Sequence, residues 1–283
     1  MNYFKIFGLG AAMTLSLGAF AQEQSTTAAS NPSARPIPES DMMYRKTVWR
    51  TVDLREKQNK PFFADGRQIT KVIIDAVKRG ELPIYKNDSL TTTLTQEEFT
   101  VNLTMPDQTG GMTEEEKALG FDEPAVSDDW GDDAPATAVV TGPAEYFPQD
   151  LYQIEIKEDA IFDKKRSRMY HDIKAITMIV PASLSANEKG YDIPIGTFKY
   201  SDLVRVFRDH PQEAIWFNPQ NDAQHKNLAD AFDLRLFSSY ITKVSNPNNA
   251  SLQDIYGGPM QGILAAQTTA EQMIEYEYNL WSF

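Results

Sequence analysis

The sequence contains no cysteine. This absence excludes disulfide bonds, thiolate metal ligands and cysteine nucleophiles, and it also excludes lipid attachment to a cysteine after a signal peptide. A chain of this length buries a sizeable core without covalent cross-links. If the protein is held at a membrane, another molecule must therefore hold it there.

Long hydrophobic runs are also scarce, and the only one lies at the N-terminus. Lys5 precedes an apolar run over residues 6–20, which ends in the A-x-A spacing of a signal-peptidase site. We therefore predict a signal peptide over residues 1–21 and a flexible tether over residues 22–40, and we expect the mature chain to be exported. A membrane anchor is the alternative, but the run is shorter than the roughly 20 residues that a spanning helix needs.

Motifs for catalysis and for cofactor binding are missing as well. The sequence has no G-x-S-x-G, no H-E-x-x-H, no P-loop and no strand-linked G-x-G-x-x-G. The histidines His171, His210 and His225 share neither helical spacing nor a carboxylate motif that would indicate a metal. We predict no enzyme activity, no cofactor and no metal. A pair of carboxylates for glycoside hydrolysis stays open, because their separation depends on the fold.

Positive charge is in the minority, since the chain has 27 Lys and Arg residues against 40 Asp and Glu residues. Between Asp107 and Asp150, twelve acids accompany a single base, Lys117. Prolines and small residues surround them, so this segment buries too little apolar surface to offset the entropy of ordering. We predict a flexible acidic insertion over residues 106–150. Calcium binding by Asp128–Asp133 is the alternative, but the acids lack the spacing of a calcium loop.

Strand and helix patterns occupy the rest of the chain. Alternating polarity predicts a strand through Trp49, and two further strands between Leu151 and Val180. Apolar spacing over Ile69–Val77, with Gly80 at the C-cap, predicts an amphipathic helix. Trp216 is predicted to lie in a core strand, and a ligand groove is the alternative for its indole ring.

Two more helices are predicted towards the C-terminus. Residues over Leu228–Tyr240 are apolar at every fourth position, and Asn221 or Asp222 is the predicted N-cap. The last helix ends on an aromatic pair, Trp281 and Phe283, which indicates a docked C-terminus.

These elements predict an α+β fold, in which a mixed or antiparallel sheet packs with several helices. A single main domain is expected, with an N-terminal part over residues 41–105 and a C-terminal part over residues 151–283. The acidic insertion interrupts it.

One short stretch is densely positive, because Lys164, Lys165, Arg166 and Arg168 lie within five positions. On a strand, the first, third and fourth of these side chains would share one face. A solvated sheet face or hairpin tip, partly neutralised by acids such as Asp163, is the alternative to a functional cluster. The chain outside the insertion is nearly neutral, which predicts no nucleic-acid partner.

Five segments carry a resemblance to a known family: "TVWRTVDLREKQNKPFF" (47–63), "IKEDAIFDKKRSRMYHDIKAI" (156–176), "FNPQNDAQ" (217–224), "RLFSSYITKVSN" (235–246) and the terminal "YEYNLWSF". In this order they are similar to the GldN / PorN family of gliding motility proteins, part of the type IX secretion system. The resemblance covers most of the chain from about Asp41 onward. The stretch from Asp107 to Asp150 departs from the family pattern, so no role is carried over to it.

The resemblance implies a non-enzymatic structural subunit of the periplasm. Such a subunit is expected to form a large ring with a GldK/PorK-like outer-membrane lipoprotein, at the inner face of the outer membrane, and to meet a GldM/PorM-like motor subunit. In that setting, Lys164, Lys165, Arg166 and Arg168 are expected to face an acidic surface on a neighbouring subunit. A periplasmic ligand- or metal-binding module is the alternative, followed by a hydrolase.

Overall fold

Nine strands and six helices lie within the residues that the computed structural model describes, which are 37–105, 145–187 and 189–280. The strands are β1 Met42–Asp53, β2 Ile84–Tyr85, β3 Thr93–Leu94, β4 Gln153–Asp163, β5 Arg168–Val180, β6 Ile193–Lys199, β7 Ile215–Trp216, β8 Lys226–Asn227 and β9 Tyr240–Val244. The helices are α1 Ile69–Lys78, α2 Gln96–Leu103, α3 Tyr200–Asp209, α4 Leu228–Asp233, α5 Leu252–Tyr256 and α6 Pro259–Leu280.

Seven of the strands form one sheet in the order β3-β2-β6-β5-β4-β1-β9, and β7 pairs with β8. All of these neighbours are antiparallel. The α+β prediction is therefore confirmed. The strand through Trp49 is β1, and the two strands predicted between Leu151 and Val180 are β4 and β5.

Helix α1 follows its predicted pattern closely. Its apolar residues at positions 69, 72, 73, 76 and 77 are buried. Gly80 has a left-handed backbone conformation, with a φ of 75°, and its N–H donates to the carbonyl of Val77. The next N–H, from Glu81, donates to the carbonyl of Ala76. These two bonds end the helix at the glycine, because glycine adopts a left-handed conformation without steric cost.

The prediction of a helix over Leu228–Tyr240 is wrong in the length of the helix and in its N-cap residue. Helix α4 ends at Asp233, and Tyr240 begins the edge strand β9. The N-cap is Asn227, whose side chain accepts from the N–H of Ala229. Pairing of β9 with β1 determines this segment, since tertiary contacts override a short helical period.

The core has two apolar clusters. The larger lies among the sheet and helices α1 to α4, and its fully buried side chains include Phe62, Phe99, Phe198, Phe207 and Phe232. The smaller lies beneath α5 and α6 and consists of Val48, Ile241, Leu252, Ala265 and Ala266. The long C-terminal helix is thus present as predicted, although Trp281 and Phe283 lie outside the described residues.

Both ends of the predicted acidic insertion meet at one place. Thr104 forms an isolated β-bridge with Glu145, and the N–H of Tyr146 donates to the carbonyl of Leu103 at 2.9 Å. Tyr146 is buried in the larger cluster. The packed body thus resumes at Glu145, ahead of the predicted boundary at Leu151. The aspartates 128–133 lie outside the described residues, as do the predicted signal peptide and most of the tether.

Candidate interaction surface

The basic cluster lies at the turn of the β4–β5 hairpin. Strand β4 ends at Asp163 and β5 begins at Arg168, so the intervening residues form the turn. The Asp163 carboxylate accepts hydrogen bonds from the N–H groups of Lys165 at 2.9 Å and Arg166 at 3.3 Å. Ser167 is left-handed, with a φ of 48°. The Asp163 side chain therefore stabilises the turn.

This position corrects the predicted sharing of one strand face by Lys164, Arg166 and Arg168. Strict alternation of side chains holds only in extended backbone, and three of the four cations lie in the turn. The cations therefore do not form a row on the sheet. The structure matches the alternative that placed them at a hairpin tip.

Half of the positive charge is neutralised within the chain. Lys165 Nζ lies 2.8 Å from Asp41 Oδ2, and Arg166 Nη1 lies 3.4 Å from Asp163 Oδ2. The hydrogen bond from Lys165 lowers the pKa of Asp41 below its ordinary value. Lys164 and Arg168 are exposed and have no ion pair within the described part of the chain. These two side chains are free to meet an external acid.

The turn stands at the end of an arm in which β1, β4 and β5 continue beyond the paired lengths of β6 and β9. Strand β6 pairs with β5 only between Ala175 and Val180, so the part of β5 nearer the turn lacks a strand neighbour on that side among the described residues. The far end of α6 supports the arm. Glu277 Oε1 accepts from the N–H of Met169 at 3.1 Å, and the rings of Tyr44 and Tyr276 lie 4.6 Å apart.

A buried charge network lies at the base of this arm. Glu158 is fully buried, on the same sheet face as the apolar Ile156 that precedes it by two residues. Its carboxylate receives Arg50 Nε from β1 at 2.6 Å and Arg235 Nη1 at 2.6 Å. His171 Nδ1 from β5 lies 3.2 Å from the same carboxylate. Four segments of the chain are therefore joined at one carboxyl group.

The network keeps Glu158 ionised. Burial alone raises the pKa of the Glu158 carboxyl, because it disfavours the charged form. The contact with His171 and the guanidinium groups of Arg235 and Arg50 outweigh burial and lower the pKa below its ordinary value. Glu158 is thus a structural anion with its partners already in place, unlike a poised general acid.

Arg235 reaches Glu158 through an unusual backbone conformation. Its φ is 52°, in the left-handed region that favours glycine. Arg235 follows α4, where its N–H donates to Phe232 and the N–H of Leu236 donates to Ala231. This is a Schellman ending with arginine in the position usually held by glycine. The conformation aims the guanidinium at Glu158.

A polar row crosses the opposite face of the sheet. Glu155 lies in the row, and burial, with Asp88 and Asp192 nearby, raises the pKa of its carboxyl to about 6 against the opposing effect of Lys243 and Lys157. Thr177 and Thr197 hydrogen-bond to each other at 2.9 Å in the same row. The paired residues are, strand by strand from β9 to β3, Tyr240, Thr51, Glu155, Thr177, Thr197, Tyr85 and Thr93.

The three histidines have ordinary structural neighbours. His171 contacts Glu158, His210 Nε2 lies 2.9 Å from Glu81, and His225 Nδ1 accepts from the N–H of Asn218. No group of three His, Cys, Asp or Glu side chains within the described ranges could hold a metal ion. Trp216 lies in a strand, as predicted, but β7 is a two-residue strand outside the main sheet, and the half-buried ring packs edge-on to Phe62 at 6.5 Å.

Sequence reasoning did not find the Glu158 network. A signal for one member was present, because Glu158 continues the inward-facing positions of Ile154 and Ile156. A charged residue at such a position requires a partner. The partners themselves left no local signal, since Arg50 and Arg235 lie 108 and 77 positions away.

Comparison with known proteins places the chain in a family. Its residues 37–282 match the family described as "Gliding motility associated protein GldN". No curated protein matches the chain. Within the described ranges, none of the helices is both long enough and apolar enough to span a membrane. Because the match covers nearly the whole chain, the protein belongs to the GldN family and is a component of the gliding motility and type IX secretion machinery.

Proposed function

We propose that this protein is a non-enzymatic structural subunit of the periplasm, which assembles with a GldK/PorK-like outer-membrane lipoprotein into a ring. A GldM/PorM-like motor subunit contacts this ring from the inner membrane. Family membership and the predicted signal peptide support the proposal. Because the chain has no cysteine to carry a lipid, the lipoprotein holds it at the inner face of the outer membrane.

The observation that carries the proposal is the basic turn at the end of the β4–β5 arm. Lys164 and Arg168 are exposed there without an acidic partner, while Lys165 and Arg166 are held by Asp41 and Asp163. An acidic surface on the lipoprotein or the motor subunit would form ion pairs with these two free cations. Such complementarity sets the register of subunits and raises the rate of encounter.

The Glu158 network supports a mechanical role for the arm. Its two arginine–glutamate ion pairs and the contact with His171 join β1, β4, β5 and the segment after α4, so the arm is rigidly connected to the body. A rigid projection loses little conformational entropy when it binds. In a ring subunit, this rigidity transmits force between the contact at the turn and the main sheet.

Charge reversal of the two free cations tests the proposal. We expect Lys164→Glu with Arg168→Glu to weaken binding to the lipoprotein, or to the periplasmic part of the motor subunit, by on the order of tenfold or more at low salt. The difference should shrink as salt screens the contact. Fluorescence anisotropy against each purified partner, at two salt concentrations, measures both effects.

A matched control is the pair Lys57→Glu and Lys60→Glu, which changes the net charge equally at exposed sites between β1 and α1 in the chain. This control should bind like the parent protein. Equal weakening by both pairs would show that only net charge matters, and unchanged binding of the Lys164 and Arg168 variant to both partners would refute the role of the turn.

A further inference from the structure

Helix α6 has a second apolar stripe that faces away from the protein. Its inner side is buried at Gly262, Ala265 and Ala266. On the outer side, large apolar side chains are exposed instead, with fractions of 68% at Met260, 58% at Leu264, 68% at Ile274 and 75% at Tyr278. Large exposed apolar side chains grouped on one side of a helix mark an interaction surface more often than single ones do.

The stripe has the spacing of a helix-pairing seam. Met260, Leu264, Gln267, Glu271, Ile274 and Tyr278 follow one another at alternating steps of four and three residues, and all are exposed. This is the heptad repeat through which two helices pack side by side. The seam extends over about 27 Å of helix, since each residue rises about 1.5 Å.

The order of residues along the seam identifies the occupant. If a second copy of α6 runs antiparallel, Met260 faces Tyr278, Leu264 faces Ile274 and Gln267 faces Glu271. Each pair is complementary, with apolar groups at both ends and an amide beside a carboxylate in the middle. A parallel pair would instead place Glu271 against Glu271, and like charges in contact oppose association.

Charge on the rest of the helix pair also favours the antiparallel arrangement. Residues 252–280 contain the acids Asp254, Glu271, Glu275 and Glu277 but no lysine or arginine. The seam therefore has no cations that could neutralise acidic side chains brought together by a parallel pair. In the antiparallel pair, Glu275 lies on the same side of the seam as the exposed, uncharged Gln261 of the other copy and about two turns of helix from that copy's Glu271.

We propose that two copies of this protein associate through an antiparallel pair of α6 helices about a two-fold axis. Gln267 Nε2 now donates to Glu271 Oε1 of its own helix at 3.0 Å, and the same groups exchange this bond across the axis. Ile255 and Tyr256 of α5, both at least half exposed, continue the apolar surface beyond Met260. The inference is independent of the proposed ring, because it uses neither the basic turn nor a lipoprotein.

Cysteine cross-linking tests the arrangement on a background without native thiols. In the antiparallel pair, Gln267→Cys of one copy faces Glu271→Cys of another, close enough for a disulfide. We expect the two single variants of the mature chain, mixed and oxidised, to give a covalent dimer, while each alone gives on the order of tenfold less. Gln272→Cys, exposed on the same helix but off the seam, is the matched control.

A second measurement keeps the test independent of disulfide chemistry. Leu264→Glu with Ile274→Glu should convert a dimer of the mature chain to a monomer in sedimentation equilibrium, with unchanged circular dichroism, because both side chains are exposed in the single copy. Cross-linking by each single variant alone would indicate a parallel pair and overturn the arrangement. A parent protein that is monomeric would overturn self-association, and if the double variant then lost lipoprotein binding, the seam would belong to that partner.

Discussion

At the scale of single residues, Arg235 combines a backbone cost with a side-chain gain. A non-glycine residue in the left-handed region costs of order 1 kcal/mol or more. Glu158 has no exposure to solvent and needs cations close by, and Arg235 supplies a bidentate contact at 2.6 and 3.3 Å. The conformation persists because the ion pair offsets the backbone cost.

This balance predicts an unusual order of stabilities. Arg235→Ala removes the ion pair but keeps a side chain in the left-handed conformation, so we expect a loss of about 2 to 4 kcal/mol in the free energy of unfolding. Arg235→Gly loses the same ion pair but relieves the backbone cost, so its loss should be smaller by about 1 kcal/mol. Urea unfolding of both variants measures the difference.

Arg205→Ala is the control, because Arg205 is an exposed arginine with only a distant acid at 4.0 Å. Its effect should stay within about 0.5 kcal/mol. If Arg235→Gly were as unstable as Arg235→Ala, the left-handed backbone would carry no cost and the proposed balance would be incorrect.

At the scale of elements, the short β2–β3 hairpin and α2 pack onto β6 through a single glycine. A Cβ atom added at Gly196 would lie 2.9 Å from Ile84 Cγ2 and 3.2 Å from Phe99 Cδ2. Both neighbours are buried in the larger core cluster, so neither has room to withdraw. Close contact between these elements therefore requires glycine at this position.

We expect Gly196→Ala to lower the free energy of unfolding by about 1 to 3 kcal/mol, since overpacking forces neighbours out of their places. Gly258→Ala is the matched control, because its added Cβ would meet only the end of the Gln261 side chain. Thermal unfolding should show a clear decrease for the first variant and little change for the second. Equal melting temperatures would mean that α2 and β2 shift freely.

Element prediction from sequence succeeded where a pattern was both local and long. Helix α1 and strands β4 and β5 were found because their burial repeats over many residues. The region after Asp233 was misjudged, because the helical period over Leu228–Tyr240 competes with pairing to β1, a strand almost 200 positions away. Local spacing cannot report such a partner.

At the scale of the whole molecule, the main sheet combines strands from before and after the predicted acidic insertion. Strand β1 precedes the insertion and β4 follows it, yet the two pair over nearly their full lengths. Thr104, ahead of residues 107–143, forms a β-bridge with Glu145, which follows them. A much shorter connection between Thr104 and Glu145 would therefore allow the same domain to form.

Replacing residues 107–143 by a Gly-Ser linker of about six residues should preserve the fold and raise the free energy of unfolding by about 1 to 2 kcal/mol, because a shorter loop costs less entropy to close. Urea unfolding and circular dichroism measure the two effects. A variant that fails to fold, or that loses stability, would show that the acidic segment contributes contacts and would contradict its prediction as an insertion.

Local patterns in the sequence were sufficient for the α+β class, for most long elements and for the resemblance to the GldN family. These properties depend on residues within a few positions of one another, where side-chain periodicity is visible. Tertiary structure alone decided which cations of the basic turn are free, which partners Glu158 has, and that the second stripe of α6 is exposed. Each of these depends on residues far apart in the chain, whose approach follows from strand pairing and helix packing rather than from local spacing.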